Sequence, residues 1–526
     1  ILQAEAPDLF VSSSAQVAQN MREFERWTTT TINAFAGPMF DRYLARLEAG
    51  LAENGFGGHL YIMTSSGGML TTAAARRFPV RALESGPAAG ALMSAAHGRA
   101  LALDNLLSFD MGGTTAKASL IRDGAYETTP EYEVGGGTSG NRWVNGTGHP
   151  IRVPVIDLAE VSAGGGSIAW VDRAGALRVG PHSAGADPGP VCYRRGGTEP
   201  TVTDCNLVLG YLDRSSLIGG ALEIDYAAAE AAIAEKLARP LGVDVKAAAA
   251  AVIDVVNHEM SEALKIVSVQ RGYDPRGFNL AAFGGAGPLH AAALAAELGM
   301  AEILCPPIPG AFSALGLVGT DLKRDYVRTF YATTDTAEPH ALQEAFATLE
   351  AEGLAMLERA GIAQERRRFE RAVDARYARQ SYELQVPVPA PPFTAATLAD
   401  LAEAFHQRHR QTYGHDNRGE PVQLVNVRLT AIGEIPSLAI RQPTGDGRAD
   451  PLKGRREVWF RDTGATTAEI YDRARLPVGF KASGPAIIES LESTILVPPG
   501  WSASVDELGL VLLPRTPATT EGEARP

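Results

Sequence analysis

An α/β core followed by a β-rich α+β C-terminal region is the fold class the sequence predicts. Up to about residue 330, short apolar runs ending in glycine turns alternate with helical stretches, the texture of strands and helices in layers. After that point two helix-then-strand units give way to short strands separated by turns. The 526 residues exceed what one core usually organises, so two or three domains are expected.

The elements follow in order. Residues 18–54 carry apolar positions three and four apart through INAFAGPMFDRYLARLEAGL, and Gly55 to Gly58 end that helix. HLYIMTS reads as a buried strand before the SSGGML turn, and ESGPAAGALMSAAHG opens a helix of small residues suited to close packing. LLSFDMGGTTAKASLIRDG, residues 106–124, reads as two strands around a glycine–threonine turn. From 130 to 200 the glycines of VGGGTSGNRW, SAGGGSIAWVD and GALRVGPHSAGADPGPVCYRRGG interrupt apolar runs, so a β-rich region with functional loops is expected. Residues 225–271 are helical and Ala-rich; NLAAFGGAGPLHAAALAAELG reads strand, glycine turn, helix, with the strand EILCPP after it. Helices around 340–361 and 397–413 lead to strands in RAVDARYARQSYELQVPVP and VQLVNVRLTAIGEIP, and TPATTEGEARP reads as a frayed tail.

Charge and composition narrow the function. With 61 acidic against 48 basic residues the net charge is -13, which argues against nucleic acid or an anionic membrane as the main partner. Cys192, Cys205 and Cys305 are too few for a disulfide framework and lack zinc-finger spacing, so a reducing, cytoplasmic compartment is the simplest reading. No run of about twenty apolar residues signals a membrane span. The opening ILQAEAPDLFVSSS has no initiator Met and no leader pattern, and reads as the middle of a longer chain.

The turn after the first strand of the 106–124 segment holds the clearest chemistry. Asp110 emerges there, and Gly112 and Gly113 let a backbone approach an anion without Cβ clashes. Backbone N–H groups and the Thr114 and Thr115 hydroxyls suit phosphate oxygens, while the Asp110 carboxylate suits a hydrated Mg²⁺. A plain hairpin with a glycine bulge explains the same residues equally well. No helix and no GK[ST] follow, so this is no Walker A loop. Lys117 faces either phosphate or solvent. The turn Gly284-Gly285-Ala286-Gly287 offers a side-chain-free shelf before a helix N-terminus, although a tight packing turn accounts for it as well. His290 at that helix start is a candidate proton donor or ligand. Asp187 reads as an Asx-type turn, Cys192 as structural, Ser167 as lacking a triad, and His406 and His409 as part of a solvated helical face.

Taken together, the DxGGT hairpin and the distal GGAG turn resemble the phosphate and adenosine loops of the actin, Hsp70 and sugar-kinase ATPase superfamily. The blocks LLSFDMGGTTAKASLI, DLAEVSAGGGSIAWVD, RVGPHSAGADPGPVCY, PTVTDCNLVLGYL and FGGAGPLHA resemble the hydantoinase A / 5-oxoprolinase family more closely. The resemblance runs from INAFAGPMFDRYL to RARLPVGF and SGPAIIESLESTILVPPGW, essentially the whole chain. It implies the remainder of a first ATPase lobe over 1–100, a second lobe with a glycine-rich β insert over 101–330, and a C-terminal α+β domain over 331–526.

The sequence departs from the family pattern twice. Family members usually begin with another DxGGT loop, so the resemblance implies that a first phosphate loop and part of its lobe stand elsewhere. Many relatives also carry a histidine two residues after the aspartate corresponding to Asp157, where this chain has Ala159. Asp157 remains a candidate, with Glu160 as a weak substitute.

The resemblance implies an ATP-dependent hydrolase subunit that opens a hydantoin, 5-oxoproline or similar cyclic amide by phosphorylating its carbonyl oxygen. Asp110 and Asp157 would hold Mg²⁺ or another divalent metal and, with His290, form the catalytic set. Gly112, Gly113, Thr114, Thr115 and Lys117 would hold phosphate, and Gly284, Gly285 and Gly287 would support adenosine. A hydantoinase B-like subunit is the implied partner. A ketone carboxylase subunit, a carbohydrate-type kinase and a non-catalytic subunit are the alternatives.

Overall fold

The computed structural model describes residues 2–6, 8–18, 23–135, 148–318, 320–435, 445 and 447–515. Most of VGGGTSGNRW and all of TPATTEGEARP lie outside the described residues. Helix α1 (Glu23–Glu53), the hairpin of β1 (Tyr61–Met63) and β2 (Met69–Thr71), and helix α2 (Ser85–Ala100) come first. Next are β3 (Leu106–Met111), β4 (Ala116–Arg122), β5 (Leu158–Val161), α3 (Val202–Val208), α4 (Val245–Val267), β6 (Asn279–Phe283), α5 (Gly287–Leu298), β7 (Glu302–Cys305) and α6 (Phe312–Val318). The C-terminal region has β8 (Leu322–Thr333), α7 (Pro339–Arg359), β9 (Arg367–Tyr377), β10 (Leu384–Val388), α8 (Ala395–Tyr413) and β11 (Val422–Gly433). It ends with β12 (Leu452–Phe460), β13 (Gly464–Asp472), β14 (Lys481–Ser483), β15 (Ala486–Glu489), β16 (Thr494–Val497), β17 (Ser502–Val505) and β18 (Val511–Pro514).

The sheet that positions the site runs β5-β4-β3-β6-β7-β18-β17-β14. β3 and β4 form the expected antiparallel hairpin, and β6 lies parallel to β3 with Phe283 opposite Asp110. Both faces of β3 are covered, as an α/β core requires. Leu107, Phe109 and Met111 join Leu264, Leu289 and Leu294 from α4 and α5, while Leu106 and Ile121 meet Ala95 of α2 on the other face. Small residues let α2 sit close: a Cβ on Gly90 would stand 2.5 Å from the Phe283 ring, and one on Gly98 2.7 Å from the Leu103 carbonyl.

The sheets do not divide where the composition changes. β1 and β2 join β8, β11, β9 and β10 in a six-stranded sheet roofed by Leu342, Phe346 and Phe405 of α7 and α8. β18 pairs antiparallel with β7, so residues from the end of the chain close the edge of the sheet begun by β3. β12, β13, β15 and β16 form a further four-stranded sheet. Among the described residues no helix is long and apolar enough to cross a membrane.

Candidate active site

The β3–β4 turn is held from behind and left open in front. Gly112 closes it by donating its N–H to the Thr115 carbonyl at 3.1 Å. The Gly112 and Gly113 carbonyls accept N–H groups from Gly165 and Gly166 at 3.1 and 2.6 Å. A Cβ on Gly164 would fall 2.6 Å from Thr114 N, so the GGGS stretch acts as a backbone brace. Ser167 completes that brace, accepting the Gly164 N–H at 2.9 Å, and is buried. No acceptor among the described residues takes the N–H groups of Gly113, Thr114 and Thr115, and the two threonine hydroxyls are likewise unengaged. A Cβ on Gly112 or Gly113 would meet nothing within 4 Å. Five donors of this turn therefore lack an acceptor among the described residues, and backbone N–H groups left free on a turn suit an anion.

This turn separates two cavities. The larger, about 1010 Å³, is lined by Gly112, Gly113, Gly285, Ala286, Asn206 and the Glu489–Thr494 connection, among others. The smaller, about 320 Å³, is lined by Asp110, Gly112, Thr115, Lys117, Gly284 and Ser313, together with Gly86 and Pro87 at the start of α2. Burial pushes the Asp110 carboxyl above the usual carboxylate range, opposed by a 3.4 Å hydrogen bond from the Ser313 hydroxyl and by the Lys117 charge.

Lys117 faces carboxylates rather than open solvent. Its ammonium lies 2.8 Å from Glu84 and 3.5 Å from Glu160. Glu160, Lys117 and Asp110 stand opposite one another on β5, β4 and β3, so a row of alternating charge crosses the sheet. Burial works against the lysine's charge, yet Glu84 and then Glu160 hold its pKa above the ordinary value. Glu84 itself takes a left-handed backbone, φ 59°, immediately before α2.

The other expected site residues take different places. Gly284 (φ +82°) is a packing glycine, because a Cβ there would fall 2.3 Å from the Met111 carbonyl and 2.5 Å from Asp110 Oδ1. Gly285 lines the larger cavity, whereas Gly287 is buried as the first residue of α5. Ser493 ties the C-terminal strands to this turn, donating toward the Gly284 and Gly285 carbonyls at 3.3 and 3.2 Å.

Asp157 is not brought to Asp110; it pairs with Arg271, which also lies 3.8 Å from Glu127, and it lines neither cavity. His290 is buried behind the larger cavity. Its Nδ1 bonds Asn257 Oδ1 at 2.7 Å and its Nε2 meets Asn206 Nδ2 at 3.3 Å. Burial lowers its pKa to about 4, so it is neutral at pH 7, donating through Nδ1 and accepting through Nε2.

Other sequence features resolve simply. Cys192 is buried with its thiol pKa raised by burial, and Asp187 is exposed. His406 and His409 are buried, not solvated: His406 bonds Tyr377 at 2.8 Å, and His409 bonds Gln380 and the His415 carbonyl at 2.9 and 2.6 Å. Exposed His258, Glu262 and Glu297 bring potential ligand atoms together, but Lys265 lies 2.7 and 3.3 Å from the two carboxylates. Glu84, Ser313, Asn206 and the brace at Gly164–Gly166 were not singled out from sequence. Only the glycine run carried a signal, and it named no partner.

The hydantoinase/oxoprolinase family matches residues 26–326. The chain belongs to the hydantoinase/oxoprolinase family. The C-terminal domain of that family matches residues 331–515. The caprolactamase subunit alpha of Pseudomonas jessenii is 35% identical over 518 residues, spanning 96% of this chain and 72% of the relative. The acetophenone carboxylase gamma subunit of Aromatoleum aromaticum is 31% identical over 535 residues, spanning 96% of this chain and 69% of the relative. The crystal structure of the ATP-dependent caprolactamase from Pseudomonas jessenii superposes with a TM-score of 0.81 at 34% identity, covering 98% of this chain and 74% of that one. The hydantoinase/oxoprolinase chain thus shares the expected α/β fold of ATP-dependent enzymes.

Proposed function

We propose that this hydantoinase/oxoprolinase chain is the ATP-using subunit of a ring-opening amide hydrolase, acting on a hydantoin, 5-oxoproline or a similar lactam. The observation that carries the reading is the pair of free donors at Gly113 and Thr115, which line the larger and the smaller cavity, with Asp110 beside Thr115 in the smaller one and Thr114 lining neither. The larger cavity, about 1010 Å³, has the volume of a small-molecule cofactor site and suits a nucleoside triphosphate. The smaller one suits the reacting carbonyl. Asp110 and Ser313 suit a hard cation, and Mg²⁺ held by Asp110, directly or through water, would neutralise charge on the transferring phosphoryl group. His290 supports Asn206 at the wall of the larger cavity in this reading, and Asp157, paired with Arg271, takes no part in it.

The lactam carbonyl oxygen takes the γ-phosphoryl group as the bond to the β-phosphate oxygen breaks, releasing ADP. One water adds to the activated carbon, and the ring nitrogen leaves with a proton, giving an acyl phosphate. A second water attacks the acyl carbon and expels phosphate that carries the former carbonyl oxygen. The turn donors hold the phosphoryl oxygens, and Lys117, fixed by Glu84 and Glu160, adds positive charge beside Asp110. A hydantoinase B-like subunit would complete the hydrolysis, and the three buried free cysteines support a reducing, cytoplasmic setting.

The acetophenone carboxylase relative favours one second reading: the same turn would phosphorylate an enol oxygen ahead of carboxylation. ADP release by the purified assembly, measured against lactam, hydantoin, ketone-plus-bicarbonate and sugar panels, separates these. Stimulation by a cyclic amide without bicarbonate is expected. Stimulation only by ketone with bicarbonate supports the carboxylase, and stimulation by sugars alone contradicts both.

A further inference from the structure

One amide on the wall of the larger cavity is left incomplete. Asn206 is 2% exposed and lines that cavity with Gly112, Gly113, Gly165 and Thr203. Its Oδ1 is buried and has no hydrogen-bond partner among the described residues. Buried side-chain oxygens are nearly always paired, because an unpaired one keeps the full cost of leaving water.

The amide cannot satisfy that oxygen by turning over. Its Nδ2 meets His290 Nε2 at 3.3 Å, and His290 Nδ1 meets Asn257 Oδ1 at 2.7 Å, all three side chains being buried. A neutral imidazole has one N–H. Here Nδ1–H goes to Asn257, so Nε2 offers only a lone pair and Asn206 must face it with Nδ2. A relay therefore runs from α4 through α5 to α3 and ends on an acceptor at the cavity wall. A buried relay of this kind is costly until its last member is paired, and a donor on a ligand pairs it.

The acceptor is also tied to the phosphate turn. Gly165 donates its N–H to the Gly112 carbonyl at 3.1 Å, and the Gly165 carbonyl accepts both the N–H and the hydroxyl of Thr203 at 2.8 Å. Asn206 follows Thr203 by three residues on α3, about 4.5 Å of helix rise on neighbouring positions of one face. Phosphate oxygens carry lone pairs, so Oδ1 is no partner for them. In a nucleoside triphosphate the donor-bearing group next to the phosphates is the ribose, with the base beyond it. We propose that Asn206 Oδ1 accepts a ribose hydroxyl of the bound nucleotide, which makes the cavity selective for ribonucleotides over deoxyribonucleotides. This specificity rests on the proposed seating of ATP in the larger cavity. His290 and Asn257 are positioning residues, holding the amide so that it can only accept.

Calorimetric titration of the purified assembly, without cyclic amide, tests this with four ligands. They are ATP, the two ATP analogues that each lack one ribose hydroxyl, and inosine triphosphate. In the natural protein one deoxy analogue should bind about 10- to 100-fold more weakly than ATP, because it leaves the buried oxygen unpaired. Inosine triphosphate keeps both hydroxyls and should bind as ATP does. Asn206→Leu should bring ATP down to the level of the weak analogue and abolish the difference. Equal binding of ATP and both deoxy analogues would overturn the proposal while leaving the ATP site standing. So would weak binding of inosine triphosphate alone, or a deoxy discrimination that survives Asn206→Leu. Failure of every nucleotide to bind would remove the ATP reading itself, and this specificity with it. Analogue binding by the natural protein carries the test even where Asn206→Leu does not fold.

Discussion

Two glycine turns sit side by side in this molecule and use glycine for opposite reasons. At Gly112 and Gly113 the missing side chains leave open space, so the turn is free to receive a ligand. At Gly284 the missing side chain is filled by the protein itself, by the Met111 carbonyl and the Asp110 carboxylate. The first turn keeps unsatisfied donors; the second passes its N–H groups inward, Gly284 to the Pro309 carbonyl at 2.9 Å and Ala286 to the Met111 carbonyl at 3.0 Å. Similar letters thus mark a binding surface in one place and a keystone in the other. Damage to the first should appear in turnover, and damage to the second in folding.

The largest expected effect breaks the second turn. Gly284→Ala puts a Cβ where backbone atoms stand at 2.3 Å and forces a left-handed φ of +82°, a combination worth about 3–5 kcal/mol of stability by denaturant unfolding. Asp110→Asn should leave folding intact and lower turnover of the assembly about 100- to 1000-fold, because the carboxylate that would hold the charge-neutralising cation is lost. Retained turnover would remove Asp110 from the metal role.

His290, just beyond the second turn, should report in stability rather than chemistry. Its folded pKa of about 4 lies below the ordinary histidine value of 6.5, so between those pH values the unfolded chain takes up a proton that the folded chain refuses. Stability is fully present above pH 6.5 and falls as pH drops toward 4, by at most about 3 kcal/mol. His290→Gln should flatten that part of the pH–stability curve, while a turnover limb that shifts with His290 substitution would restore a proton-transfer role. The smallest effect sharpens the first turn. Gly113→Ala should change stability by under about 1 kcal/mol, since its Cβ meets nothing, yet weaken ATP binding by the assembly about tenfold in calorimetry.

Much of this arrangement was legible in the sequence because it is local. The DMGGT hairpin and the strand–GGAG–helix unit follow from apolar runs punctuated by glycine, and both formed where expected. What stayed hidden depends on partners far along the chain. Asp157 meets Arg271, Lys117 meets Glu84 and Glu160, and residues past 480 close the central sheet. His406 and His409 sit among charged neighbours in sequence, yet Tyr377 and Gln380 receive them in the interior. A glycine announces freedom of backbone, but only its neighbours in space decide whether that freedom serves a ligand or a fit.

Phosphoryl transfer to the oxygen of the amide is the central step of the proposed reaction. The most direct measurement follows that atom: a cyclic amide labelled with ¹⁸O at its carbonyl is turned over in unlabelled water by the assembly containing this chain, and the phosphate is analysed by mass spectrometry. One ¹⁸O in each phosphate formed is the predicted result. Unlabelled phosphate, with all the label retained in the product carboxylate, would contradict it.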